Sequence, residues 1–201
     1  MSKKVGNSSA KVYSFLGPVG TFTELALAQV TEATGATWNP VASVAQALDD
    51  VIAGRAYRAI IPVENSIEGG VTATLDALAN MVGLQIYGEY LVPVNFSLVA
   101  RPGTKLANVK TIATHPVAYA QVRNWLAANL PKHHHLPATS TAAAAADLLG
   151  DSPADAAIAA NSITDHYKLS VLAKNIADNK HAQTRFIQVG QPGKPPAATR
   201  S

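Results

Sequence analysis

Short apolar runs alternate along the chain with stretches whose apolar residues recur at helical spacing, the rhythm of an α/β protein. Lys11 to Leu16 reads as a first strand, followed by the turn Gly17-Pro18-Val19-Gly20. Thr21 then opens a helix, with Glu24 at capping-box distance and Phe22, Leu25, Ala26 and Val30 along one face. Ser43 and Gln46 repeat the box ahead of Val44, Ala47, Leu48, Val51 and Ile52, and Gly54 supplies the stop. Arg58 to Val63 is a continuous apolar run, as expected of a parallel strand buried on both faces. Thr72 to Met81 reads as helix and Gln85 to Val92 as extended.

A second unit begins near Pro93. Phe96 to Ala100 reads as a strand, Arg101-Pro102-Gly103-Thr104 as a turn, and Lys110 to Ala113 as another strand. Pro116 suits the first turn of a helix expected to bury Val117, Val122, Trp125, Leu126 and Leu130. Thr141 to Leu149 is an alanine-rich helix ending at Gly150. Ala156 to Ala160 is a strand of small residues, and Asn161 to Tyr167 a short helix. Ser170 to Ala173 and Thr184 to Val189 complete the strands. Residues 1–10 and the proline- and glycine-rich 191–201 are expected to be disordered ends.

Composition narrows the classes. The chain has 201 residues, 48% hydrophobic and 14% charged, too apolar for a disordered chain. Thirty-seven alanines inflate that figure, so the bulky core is lean. No run of ~18 apolar residues could cross a membrane, and residues 1–10 lack the apolar stretch of a secretory signal. The absence of cysteine excludes disulfides, thiolate nucleophiles and Cys-ligated metals, and is compatible with a reducing cytoplasm. Net charge is +3, but residues 12–190 hold 11 basic and 13 acidic residues, giving −2. The excess sits in Lys3, Lys4, Lys11, Lys194 and Arg200, so the folded body has no footprint for nucleic acid.

Four segments put polar residues where strands give way to loops or helices, the edge at which open α/β sheets bind ligands. They are Gly17-Pro18-Val19-Gly20-Thr21-Phe22, Pro62-Val63-Glu64-Asn65-Ser66-Ile67-Glu68-Gly69-Gly70-Val71, Thr114-His115-Pro116 with Gln121, and Thr184-Arg185-Phe186. His115 reads as a turn residue. The run His133-His134-His135 reads as loop, since consecutive strand residues face opposite ways and cannot converge on one ion.

In this order the segments closely resemble the catalytic domain of the prephenate dehydratase family, over roughly Val12 to Val189. The ENS-x-x-G-x-V segment and the Thr-Arg-Phe triplet are the most specific parts. Thr139-Ser140-Thr141 and Ala156 to Asn161 followed by Tyr167-Lys168-Leu169 match as well. The resemblance implies two α/β lobes with a central cleft, like a type II periplasmic binding protein. One lobe is expected at 11–93 plus 178–190, the other at 94–177. It implies conversion of prephenate to phenylpyruvate, carbon dioxide and water, with no cofactor and no metal, because aromatisation drives the reaction.

The resemblance also assigns roles. Thr184 would donate to the leaving oxygen. Arg185 would hold a substrate carboxylate, or pair with Glu64 or Glu89, two roles that can coexist. Asn65, Thr114 and Gln121 would line the same pocket with neutral donors, Thr114 standing where serine is more usual. Thr21 and Ser66 would sit at helix starts beside free backbone amides, Thr21 equally as a cap. Phe186 would contact substrate or orient the pair by packing, and Glu64 is a structural acid or a titrating participant. Ala182 stands where many relatives have asparagine, two positions before Thr184. The family implies a cytoplasmic homodimer or homotetramer. Relatives commonly continue into an ACT domain that binds phenylalanine. This chain stops at Ser201, so no feedback through such a module is expected. An arogenate dehydratase, or a binding protein that kept the fold and lost the chemistry, remain open.

Overall fold

The computed structural model describes residues 11–193. The expected disordered ends therefore lie outside it, except for 191–193. Those three residues are tied down: Gln191 Nε2 donates to the carbonyls of Val51 and Ile52, and Gly193 N to the Tyr87 hydroxyl.

The chain runs β1 (Val12–Leu16), α1 (Phe22–Leu27), β2 (Thr37–Val41), α2 (Val44–Ile52), β3 (Arg58–Asn65), β4 (Gly69–Gly70), α3 (Thr72–Asn80) and β5 (Gln85–Pro93). A second series follows: β6 (Phe96–Ala100), β7 (Thr111–Thr114), α4 (Pro116–Ala120), α5 (Arg123–Asn129), β8 (His134–Pro137), α6 (Thr141–Asp147), β9 (Ala156–Ala160) and β10 (Ser170–Ala173). The chain then returns as β11 (Gln183–Gly190).

Two sheets result, ordered β2-β1-β3-β11-β5 and β8-β7-β9-β6-β10. Each begins with three parallel strands; the fourth runs antiparallel to them, and the fifth, antiparallel to the fourth, resumes their direction. The antiparallel fourth position is in each case the strand that arrives from the other sheet: β11 in the first lobe, β6 in the second. This reciprocal exchange gives two α/β lobes facing a cleft, the type II periplasmic-binding-protein architecture.

The local causes are readable. Ser43 Oγ accepts from Gln46 N at 3.1 Å, and Gln46 Oε1 accepts from Ala42 N, so α2 starts as its box predicts. Thr21 occupies the cap position of α1 but makes no capping bond. Its hydroxyl donates to Leu16 O, and Glu24 reaches back to Gly20 N instead. Both faces of β3 are covered: Ile60 packs with Tyr13, Phe15 and Phe186, and Ile61 with Leu48 and Val51. Complete burial of such side chains contributes roughly 1.5–3 kcal/mol each.

Three features differ from the sequence reading. β2 and β8 are strands that no apolar run announces, and His134 and His135 lie on β8 rather than in a loop. The helix expected from Pro116 to Leu130 breaks at Gln121–Val122, where Val122 has φ −130° and ψ 11°. The Asp178 carboxylate restarts it by accepting from Asn124 N and Trp125 N at 3.0 and 3.1 Å.

The lobes meet closely. The two crossing segments run side by side, with Val94 N donating to Ala182 O at 2.8 Å. Phe22 of the first lobe meets Phe96 of the second edge to face at 5.6 Å. Gly20 has φ +82°, and a Cβ there would stand 2.5 Å from Ile163 Cδ1, so glycine is required by conformation and by space. His166 Nε2 lies 2.9 Å from Glu24 Oε2 across the same seam.

Candidate active site

A cavity of about 240 Å³ lies between the lobes, below the ~300–1,000 Å³ of drug-sized sites and so suited to a single-ring ligand. The first lobe contributes Leu16, Thr21, Phe22, Thr23, Pro62, Asn65, Thr184 and Phe186. Val94 and Phe96 close it near the crossings, and the second lobe contributes His115, Val117, Ala118, Gln121 and Thr139-Ser140-Thr141. Among the described residues, no Arg, Lys, Asp or Glu side chain lines it. Positive potential comes instead from backbone N–H groups, because α1, α4 and α6 all begin at its wall.

Thr184 and Asn65 are paired residues of β11 and β3. Asn65 Oδ1 accepts from Ile67 N at 2.9 Å, which fixes the amide so that Nδ2 donates to Thr184 Oγ1 at 3.2 Å. The Thr184 hydroxyl thus accepts one oriented hydrogen bond and keeps its proton free for a ligand. Gln121, on the opposite wall, is 7% exposed and its Oε1 has no partner. The helix break after Ala120 is what leaves this side chain uncommitted at the cavity. Thr21 lines the cavity as expected, and Phe186 does so while also packing among Tyr13, Phe15 and Ile60.

Four expected site residues stand elsewhere. Thr114 is 0% exposed and donates its hydroxyl to Ile158 O at 2.8 Å, which holds β7 to β9. Arg185 projects from the other face of β11, because Thr184 and Phe186 alternate with it. Its guanidinium is 3.2 Å from Glu64 and 3.1 Å from Glu89, with the side chain 43% exposed. Glu64 is that arginine's partner and does not line the cavity. Ser66 Oγ accepts from Gln183 N at 3.0 Å and closes the strand ladder. Of the two roles foreseen for Arg185, the internal pairing with Glu64 and Glu89 is present.

His115 and Thr139-Ser140-Thr141 were not counted as site residues. His115 caps α4 through Nδ1, accepting from Val117 N, while lining the cavity. Ser140 caps α6 by accepting from Ala143 N at 2.9 Å. The signal for both was their position, a polar cap directly after a strand, on the same sheet edge as Thr21. Two of the three histidines, His133 and His135, brace α4: Tyr119 stacks on His135 at 4.0 Å and its hydroxyl lies 2.9 Å from His133 Nε2. Among the described residues, no group of three acidic or histidine side chains forms a metal site, and no helix is long and apolar enough to cross a membrane.

Residues 13–194 match the family model described as prephenate dehydratase. A prephenate dehydratase of Mycolicibacterium vanbaalenii is 45% identical over 199 residues, covering 92% of this chain and 64% of that protein. The crystal structure of prephenate dehydratase from Arthrobacter aurescens in complex with L-Phe has 52% identity and a TM-score of 0.88, covering 94% of this chain and 62% of the other. GqqA, described as a novel type of quorum quenching acylase, has 32% identity and a TM-score of 0.78, covering 95% and 66%. The chain spans less than two thirds of the length of the curated relatives it matches.

Proposed function

The chain belongs to the prephenate dehydratase family, and from that premise we propose that it converts prephenate to phenylpyruvate in the crevice between its lobes. The observation that carries this reading is the Thr184–Asn65 pair, a hydroxyl oriented by an amide that is itself fixed. In the reaction the bond from the ring to its carboxylate carbon breaks and carbon dioxide leaves. The released electron pair completes the aromatic ring, the ring C–O bond breaks, and the departing hydroxyl takes up a proton to leave as water.

Thr184 supports the C–O step by donating its hydroxyl proton as a hydrogen bond to the leaving oxygen. Asn65 Nδ2, donating to the same oxygen of Thr184, polarises that O–H. A threonine is too weak an acid to supply the proton outright at neutral pH, so it acts as donor or relay. Gln121, through its Nε2, and the helix-start amides receive the substrate's carboxylates as neutral donors, which binds charge without an ion pair that must later separate. The apolar share of the wall, Phe22, Pro62, Val94, Phe96 and Phe186, keeps water scarce, which strengthens each of these hydrogen bonds. Arg185 works through Glu64 and Glu89, holding β11 between its neighbours.

The reading further takes the protein as cytoplasmic and homo-oligomeric, and the exposed Leu75, Val82 and Ile86 around α3 and β5 give a subunit contact apolar surface to cover.

The test is to incubate the chain with prephenate and identify phenylpyruvate as product. Product identity decides the matter, because one structural neighbour is named as an acylase. Arogenate offered alongside distinguishes the two related substrates. Thr184→Ala should lower kcat by about 100-fold or more with an unchanged thermal unfolding midpoint. A variant that retained nearly full turnover would remove the hydroxyl from the mechanism.

A further inference from the structure

A second recess of about 1250 Å³ opens at the far end of the first lobe's sheet, on the same face as the crevice. Thr184, Phe186 and Gln188 alternate along that face of β11. Gln188 is four residues from Thr184, about 13 Å along the strand, so an occupant of the recess does not touch the crevice.

Gln188 lines the recess, is 2% exposed and is half satisfied. Its Oε1 accepts from the Tyr90 hydroxyl at 3.2 Å, while Nε2 has no partner among the described residues. Turning the amide over would leave the oxygen unpaired instead. A buried amide left half satisfied in the wall of a recess is costly in a folded protein unless something binds it.

The walls indicate what that is. Arg58 lies 4.8 Å from the Tyr57 ring centre and 4.0 Å from that of Tyr87, and Lys11 lies 4.1 Å over Tyr57. Tyr90 adds a third ring to the wall. Of the lining cations, Arg58 pairs with Glu32 at 3.0 Å and Arg55 with Asp50 at 2.8 Å, while Lys11 pairs with no acid among the described residues. Aromatic faces, the Lys11 ammonium and a buried amide without a partner match a flat ring carrying an acidic group. We propose that this recess is a second small-molecule site, separate from the crevice, that takes an aromatic carboxylate. The ring packs against the tyrosines, and the carboxylate lies toward Gln188 Nε2. The site stands whether or not the crevice turns over prephenate.

The test is an NMR titration of the isotope-labelled chain with benzoate, with benzyl alcohol as the uncharged ring and acetate as the ringless charge. Benzoate should saturate shifts of the Gln188 side-chain amide and of Tyr57 and Tyr87, at least tenfold more tightly than either control. Gln188→Leu should weaken benzoate at least tenfold while leaving the circular dichroism spectrum and melting temperature intact. Arg58→Lys, which keeps the charge and loses the planar fork, should weaken it as well. Equal responses to acetate and benzoate, shifts confined to Asn65 and Gln121, or an unaltered response in Gln188→Leu would each overturn the proposal. The last result would mean that the amide merely holds water.

Discussion

The two lobes share one strand order and fill one face of it with opposite materials. Against α1, the first lobe packs Tyr13, Phe15, Ile60 and Phe186. Against α6, the second packs Ala157 and Ala159 of β9 onto Ala142, Ala144 and Ala145. The crevice repeats the contrast. First-lobe groups are already engaged, Asn65 with Ile67 and Thr184, whereas Gln121 of the second lobe has an oxygen with no partner. Bulky packing holds the Thr184 hydroxyl in one place, and small residues let the start of α6 come close to the cavity. Under the proposed function this is a division of labour, chemistry on the first lobe and capture on the second.

The largest test of that contrast is stability. Phe15→Ala should cost about 3–5 kcal/mol in urea unfolding, since it opens a cavity among bulky neighbours. Ala157→Leu, the reverse change in the second lobe, should cost about 1–3 kcal/mol by forcing α6 off β9. A tolerated leucine would mean that the alanine layer is loose rather than tight.

Kinetics sharpens the same comparison. Asn65→Ala should lower kcat about 100-fold, because Thr184 loses the donor that orients it. Gln121→Leu should instead raise KM about tenfold and leave kcat within a few-fold. If both variants changed the same parameter, the two walls would not have distinct tasks.

The smallest effect concerns alkaline stability. Burial pushes the Tyr13 hydroxyl up to about 12, with Glu32 adding to the shift and Arg58 opposing it. Unfolded, it ionises near 10. Below about pH 10 both states keep the proton and stability is unaffected. Between about 10 and 12 only the unfolded chain releases it, so stability falls as pH rises. Tyr13→Phe should flatten that decline in denaturant titrations between pH 9 and 12; an unchanged slope would assign the loss to other groups, of which Tyr90, also raised by burial, is the first candidate.

Much of this was legible in the residues. The apolar runs at Arg58 to Val63 and Ala156 to Ala160 became central strands because burial on both faces leaves a continuous signature. β2 and β8 left none: each is the outer strand of its sheet, one carrying Trp38-Asn39-Pro40 and the other His134-His135, as an edge allows. The break at Gln121 depends on Asp178, more than fifty residues away, and periodicity within one helix cannot report it. Arg185 is different. The alternation argument applied to the histidine run also separates Thr184 from Arg185, and adjacency in sequence concealed it.

The paired crossings carry a final consequence. Because Val94 and Ala182 are bonded to each other, the connections form a two-ply ribbon in which neither ply can bend alone. Any swing of one lobe against the other must therefore bend both plies together, which makes this ribbon the hinge of the molecule.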